Sequence, residues 1–151
     1  MKNIKMAELL PFIEEAFNRN ATFKIPITGT SMNPFLVQGR DFVLLKKPNL
    51  PLEIGDIPLY RRDDGVFVLH RIVGKDENGY IMCGDNQFLL EKNITDSHII
   101  GVVCTVCRDG KTFDVTEPDY VKYKNKCVNN VNRRYPLRRL RYKLYRLKNG
   151  K

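Results

Sequence analysis

Ile57-Pro58-Leu59-Tyr60-Arg61-Arg62-Asp63-Asp64-Gly65-Val66-Phe67-Val68-Leu69-His70-Arg71-Ile72-Val73-Gly74-Lys75-Asp76-Glu77-Asn78-Gly79-Tyr80-Ile81-Met82-Cys83 is the stretch whose reading decides the fold. Residues 57–61, 66–73 and 80–83 are β-branched or aromatic runs, and Asp64-Gly65 and Asn78-Gly79 stand between them. Asp, Asn and Gly tolerate positive φ, so these pairs predict tight hairpins between antiparallel strands. Pro58 has no N–H to give a ladder and belongs at a strand start or a sheet edge.

The same pattern extends outward to runs at 22–27, 42–46 and 99–108, with turns at Gly39-Arg40-Asp41, Gly55-Asp56 and Asp109-Gly110. Six or more short strands with no alternating helices predict a mainly β chain with a coiled, barrel-like antiparallel fold. Flanking it are a predicted helix at each end. Met6, Leu9, Leu10, Ile13, Ala16 and Phe17 have helical spacing and predict a short amphipathic helix within residues 1–20, started or bent by Pro11. Leu137, Leu140, Leu144 and Leu147 recur at helical spacing among arginines and lysines, which predicts a basic amphipathic helix over 133–151. The β-domain is expected at 21–115. Residues 116–132, polar and rich in Lys and Asn, are expected to be a linker.

The chain has 151 residues, 42% of them hydrophobic, enough for one core and one domain. Its net charge of +9 is unevenly placed: residues 122–151 carry twelve Lys and Arg and no acid, which leaves the first 121 at −3. The basic segment points to an anionic partner. No apolar run is long enough for a transmembrane helix, and Glu8, Glu14 and Glu15 interrupt any signal-peptide core. A cytoplasmic or peripherally membrane-bound protein is expected. Cys83, Cys104, Cys107 and Cys127 do not form a disulfide-scaffold pattern and are expected to be reduced thiols.

Two short strings carry the chemistry. Ser31 lies in Gly29-Thr30-Ser31-Met32-Asn33-Pro34, between a small-residue turn and a proline. His70 lies within the apolar run 66–73. A serine needs a base within hydrogen-bond reach to attack a carbonyl, and neutral imidazole supplies one near pH 7. The turn at Gly29, Thr30 and Met32 can aim backbone N–H groups at an oxyanion and contact substrate.

The boxes Gly-x-Ser-Met-x-Pro, Gly39-Arg40-Asp41, Gly55-Asp56-Ile57, His70-Arg71-Ile72-Val73, Gly84-Asp85-Asn86 and Ile100-Gly101-Val102 follow in that order. Over residues 25–108 this set resembles type I signal peptidases and the self-cleaving SOS-repressor domains, in the branch with histidine as base. The resemblance implies a coiled antiparallel β-fold, Ser31 as nucleophile, His70 as general base, and a signal or leader peptide with small residues before the cut as substrate. It implies no cofactor. It also implies a supporting acid, for which Glu91 matches best, with Asp85 and Asp96 as alternatives. A self-cleaving repressor is disfavoured because no Ala-Gly or Cys-Gly bond precedes Ser31. The alternative from another class is a non-catalytic peptide-binding or regulatory module that kept the fold.

Other groups are read more plainly. Asp56 is expected to form a turn, Arg71 to pair with an acidic neighbour, and His98 to be exposed. Cys104-x-x-Cys107 falls in a predicted strand, where residues three apart face opposite sides, so no metal site is expected. The leucine stripe favours an anionic membrane or partner helix over nucleic acid for residues 133–151.

Overall fold

The computed structural model describes residues 5–150. The first four residues of the expected 1–20 segment and the last of the basic tail lie outside the described residues. Helix α1, Met6–Asn18, leads into nine strands. These are β1 (Phe23–Pro26), β2 (Asp41–Lys46), β3 (Pro58–Arg61), β4 (Phe67–Leu69), β5 (Arg71–Asp76), β6 (Gly79–Cys83), β7 (Glu91–Ile94), β8 (Ile99–Arg108) and β9 (Lys111–Asp114). Helices α2 (Pro118–Asn129) and α3 (Val131–Asn149) complete the chain.

All strand pairs are antiparallel. One sheet runs β1-β2-β8-β3-β4, with β9 also on β8, and the second runs β5-β6-β7. The ten-residue β8 is the spine, pairing with β2, β3 and β9. Register shifts at Leu44/Leu45 and Leu59/Tyr60 bend the strands and curl the sheet around its core. The mainly β class, the N-terminal helix and the C-terminal helix are as the sequence predicts. Pro58 is the first residue of β3, a strand-start position consistent with its missing donor. Asp109 and Gly110, both at positive φ, close the β8–β9 hairpin, the turn geometry that matches strand twist.

Three expectations are corrected. The run 66–73 is two strands, not one: β4 belongs to the first sheet and β5 to the second, and His70 sits at the break. Pro11 lies inside α1 rather than starting it; its missing N–H removes one hydrogen bond without ending the helix. Residues 116–132 are not a linker, because α2 occupies most of them. Pro118 at its first position is preset for helix. Its inward side chains are Tyr120, Val121, Tyr123 and Cys127, which a dense Lys and Asn background hides from a hydrophobic count. Tyr120 joins the main core.

That core lies between α1, α2 and the first sheet, around Ile13, Ile25, Leu36, Val43, Leu45 and Val106. A smaller one, around Tyr60, Ile72, Tyr80 and Met82, underlies the second sheet. The segment between β1 and β2, which carries Ser31, is pinned at its far end by Asp41. This buried carboxylate accepts from Arg40, Arg108 and the Val37 amide. Arg108 and Arg40 also donate to the Phe35 carbonyl. Burial by itself raises the Asp41 pKa, but the hydrogen bonds from Arg40 and Arg108 outweigh it and hold the carboxyl well below the usual range.

A carboxyl depressed in the folded state contributes stability above its unfolded pKa of about 4, and that contribution is lost as pH falls through the folded value. Asp41→Asn is therefore expected to lower stability at pH 7, on the order of 2 kcal/mol for lost charged hydrogen bonds. The wild-type/variant gap, measured by urea denaturation, is expected to narrow on acidification below about pH 4.

Candidate active site

Ser31 lies half-buried in the turn after β1, and the Gly-Asp-Asn turn after β6 holds that turn in place. Asn86 donates its backbone N–H to the Ser31 carbonyl at 2.8 Å and its side-chain amide to the Thr30 carbonyl at 3.2 Å. Gly84 provides the room. A Cβ there would lie 2.6 Å from the Ser31 carbonyl oxygen and 3.2 Å from Cδ2 of His70. The Ser31 backbone and the His70 ring thus converge on the same glycine from two separate parts of the chain, the turn after β1 and the break between β4 and β5. Gly29, at positive φ, donates its N–H to the Gln38 side chain. Met32 points into the main core, so its side chain is a floor of the site rather than an exposed contact. Among the described residues the backbone N–H groups of Ser31 and Met32 have no hydrogen-bond partner.

His70 is buried. Its Nδ1 lies 3.4 Å from the Tyr60 hydroxyl, with the two rings edge to face. Burial pushes its pKa down to about 4; Glu91 and Asp85 pull it up and Arg62 pushes it down, by smaller amounts. His70 is therefore neutral at pH 7, with one ring nitrogen free of a proton. No hydrogen bond joins it to the Ser31 hydroxyl among the described residues.

The three acids separate by partner. Asp85 forms a bidentate pair with Arg71, at 2.8 and 2.7 Å, and accepts from the Tyr123 hydroxyl. Its charge raises the His70 pKa. Glu91, the best match by resemblance, forms a bidentate pair with Arg62 at 2.8 and 2.5 Å. No hydrogen bond from Glu91 to His70 is present among the described residues; Tyr60 interacts with both. Asp96 accepts from Tyr80 and is outside the site. Asp56 accepts from the Glu53 amide as a turn residue, and Arg71 has its acidic partner, both as expected. His98 is not simply exposed: it donates or accepts at Asp63 and Thr95, and its side chain is largely covered. The four cysteines are free thiols, and among the described residues no group of three or more His, Cys, Asp or Glu is placed to hold a metal.

Two clefts meet at Ser31. One, about 200 Å³, is lined by apolar side chains that include Ile25, Ile27, Met32, Leu59 and Leu69. The other, about 1000 Å³, lies between the Ser31 turn, the 85–88 turn and α3. Ser31 is the residue common to both linings. Tyr60, Gly84 and Asn86 are the contributors that sequence reasoning missed as individuals. Gly84 and Asn86 sit inside a motif it did single out.

The two carboxylates are expected to respond differently to neutralisation. Asp85→Asn leaves a fully buried guanidinium without its counter-charge, a loss of about 3–5 kcal/mol. Glu91→Gln, in a partly exposed pair, is expected to cost about 1 kcal/mol or less. Thermal denaturation of the two variants side by side checks this. No protein-family model, curated protein or solved structure matches the chain.

Proposed function

We propose that the protein is a serine endopeptidase of the signal-peptidase type, with Ser31 as nucleophile and His70 as its base. The observation that carries this reading is the convergence of Ser31 and His70 on Gly84, at the point where two clefts meet. A substrate strand lying across that point presents its carbonyl to Ser31. The proton on Ser31 Oγ passes to His70 Nε2 as the hydroxyl attacks, and the same proton then goes to the leaving amine. The Ser31 and Met32 N–H groups are the donors for the oxyanion. Water releases the acyl group by the same route. Hydrogen bonds of this kind tighten when substrate is bound, which accommodates the open Ser31–His70 geometry.

Tyr60 gives the base its direction. In the tautomer this mechanism uses, Nδ1–H donates to the Tyr60 hydroxyl 3.4 Å away, which leaves Nε2 as the acceptor. The 200 Å³ apolar cleft suits a small apolar residue before the cut, in keeping with the peptide class that the sequence motifs imply.

Cleavage of an Ala-x-Ala peptide is expected from the wild-type protein, with Ser31→Ala lowering kcat by about 10⁴-fold or more. Peptide binding that persists in both proteins while neither cuts would instead support the non-catalytic binding module. The pH profile gives a second check. His70 works as a base only when neutral, so activity is expected to survive at pH 5 and to fall as pH drops through about 4. An acid limb near the unperturbed histidine value of about 6.5 is incompatible with a buried His70 as the base.

A further inference from the structure

Helix α3 is the wall of the larger cleft. Leu137, Arg141, Tyr142 and Tyr145 face the Ser31 turn across about 1000 Å³, and the Tyr142 ring packs on Phe88 at 4.9 Å between centroids. This is the upper end of the size range of ligand pockets. The leucines of the expected membrane stripe are not buried in the fold: Leu137, Leu140, Leu144 and Leu147 are between 54% and 82% exposed. Of these, Leu137 is turned to the cleft that holds Ser31, not away from it.

Charge within this cleft is one-sided. Its carboxylate, Asp85, is already neutralised by Arg71. Arg141 forms no ion pair among the described residues. The same cleft is lined by three aromatic rings, Phe88, Tyr142 and Tyr145. A surface of this composition complements an acidic side chain next to an aromatic or apolar one. The small cleft on the other side of Ser31 has no charged lining residue.

We infer that the larger cleft is the binding site for the substrate segment on the leaving side of the cut, and that Arg141 selects acidic residues there. This rests on the peptidase reading for its direction, since small residues before the cut take the apolar cleft and the following residues take the other. The basic C-terminal helix is then a specificity element that covers the active site. Its charge serves substrate choice rather than anchoring.

The test uses fluorescent peptides with a central Ala-x-Ala followed by either Glu-Tyr-Glu or Lys-Tyr-Lys, read by anisotropy against full-length Ser31→Ala protein so that the probe is not consumed. The acidic probe is expected to bind about tenfold more tightly, and the gap to shrink as salt shortens the screening length. Arg141→Glu is expected to abolish or reverse the preference. Arg139→Glu, an equal charge change on the separate face formed with Pro136, Leu140 and Lys143, is expected to retain it. Equal binding of the two probes, or equal loss in both charge variants, overturns the assignment. So do phosphatidylserine vesicles that displace the acidic probe through Arg141, since the helix would then be a membrane contact. Arg141-dependent binding of a probe that wild-type protein does not cut upholds the cleft and removes the peptidase. Cutting without charge preference does the reverse.

Discussion

One buried ion pair, Arg71 with Asp85, organises the region around the site. The guanidinium is fully enclosed, and it donates twice to Asp85 and once each to the Gly55 carbonyl and the Tyr120 hydroxyl. Phe35, Tyr120 and Tyr123 surround it at 5.6–5.8 Å from their ring centres. Burying such a group costs several kcal/mol and is offset only when each donor finds an acceptor in good geometry. That requirement brings together the Gly55 turn, β5, the turn after β6, the Ser31 segment through Phe35, and α2 through its two tyrosines. Arg71 follows His70 in the chain and Asp85 follows Gly84. Fixing the pair therefore fixes both residues that meet Ser31.

Burial separates this pair from the others that look similar in the sequence. Arg62 and Glu91 make equally good hydrogen bonds, but both side chains keep contact with solvent, so water screens what they exchange. Their effect is local: they bracket the Tyr60 hydroxyl and tune His70 at second hand. Asp41 is as enclosed as Asp85, yet its arginines are partly open. It serves the same Ser31 segment, tying the Phe35 carbonyl and the Val37 amide to β2 and β8. The Ser31 segment is thus tied at Phe35 and Val37 by charged hydrogen bonds and at Thr30 and Ser31 by the amides of Asn86.

The C-terminal thirty residues change meaning once they are folded. As a string they are a positive excess with a leucine stripe. Among the described residues no helix is long and apolar enough to cross a membrane. In the fold, α2 spends its aromatic side chains on the buried ion pair, and α3 closes a cleft over Ser31 through the Phe88–Tyr142 contact. The two helices are nearly continuous in sequence but do different work: α2 completes the core and α3 shapes the mouth.

What the sequence by itself determined is the local structure. Strand periodicity, Asx-Gly turns and helical leucine spacing depend on neighbours within a few residues, and the strands, hairpins and terminal helices follow from them. Ser31 and His70 were legible as site candidates because an unusual residue in a short local pattern is visible without its partners. Which acid meets which base was not legible, since pairing is chosen by burial and geometry among groups that lie 14 to 67 positions apart. The same holds for α2, whose Tyr120 enters the core and Tyr123 packs against it with Arg71 and Asp85 there to satisfy their hydroxyls. The break at His70 belongs with these. Residues 66–73 form an unbroken β pattern, and only the need to serve two sheets turns the chain there and places the imidazole beside Gly84.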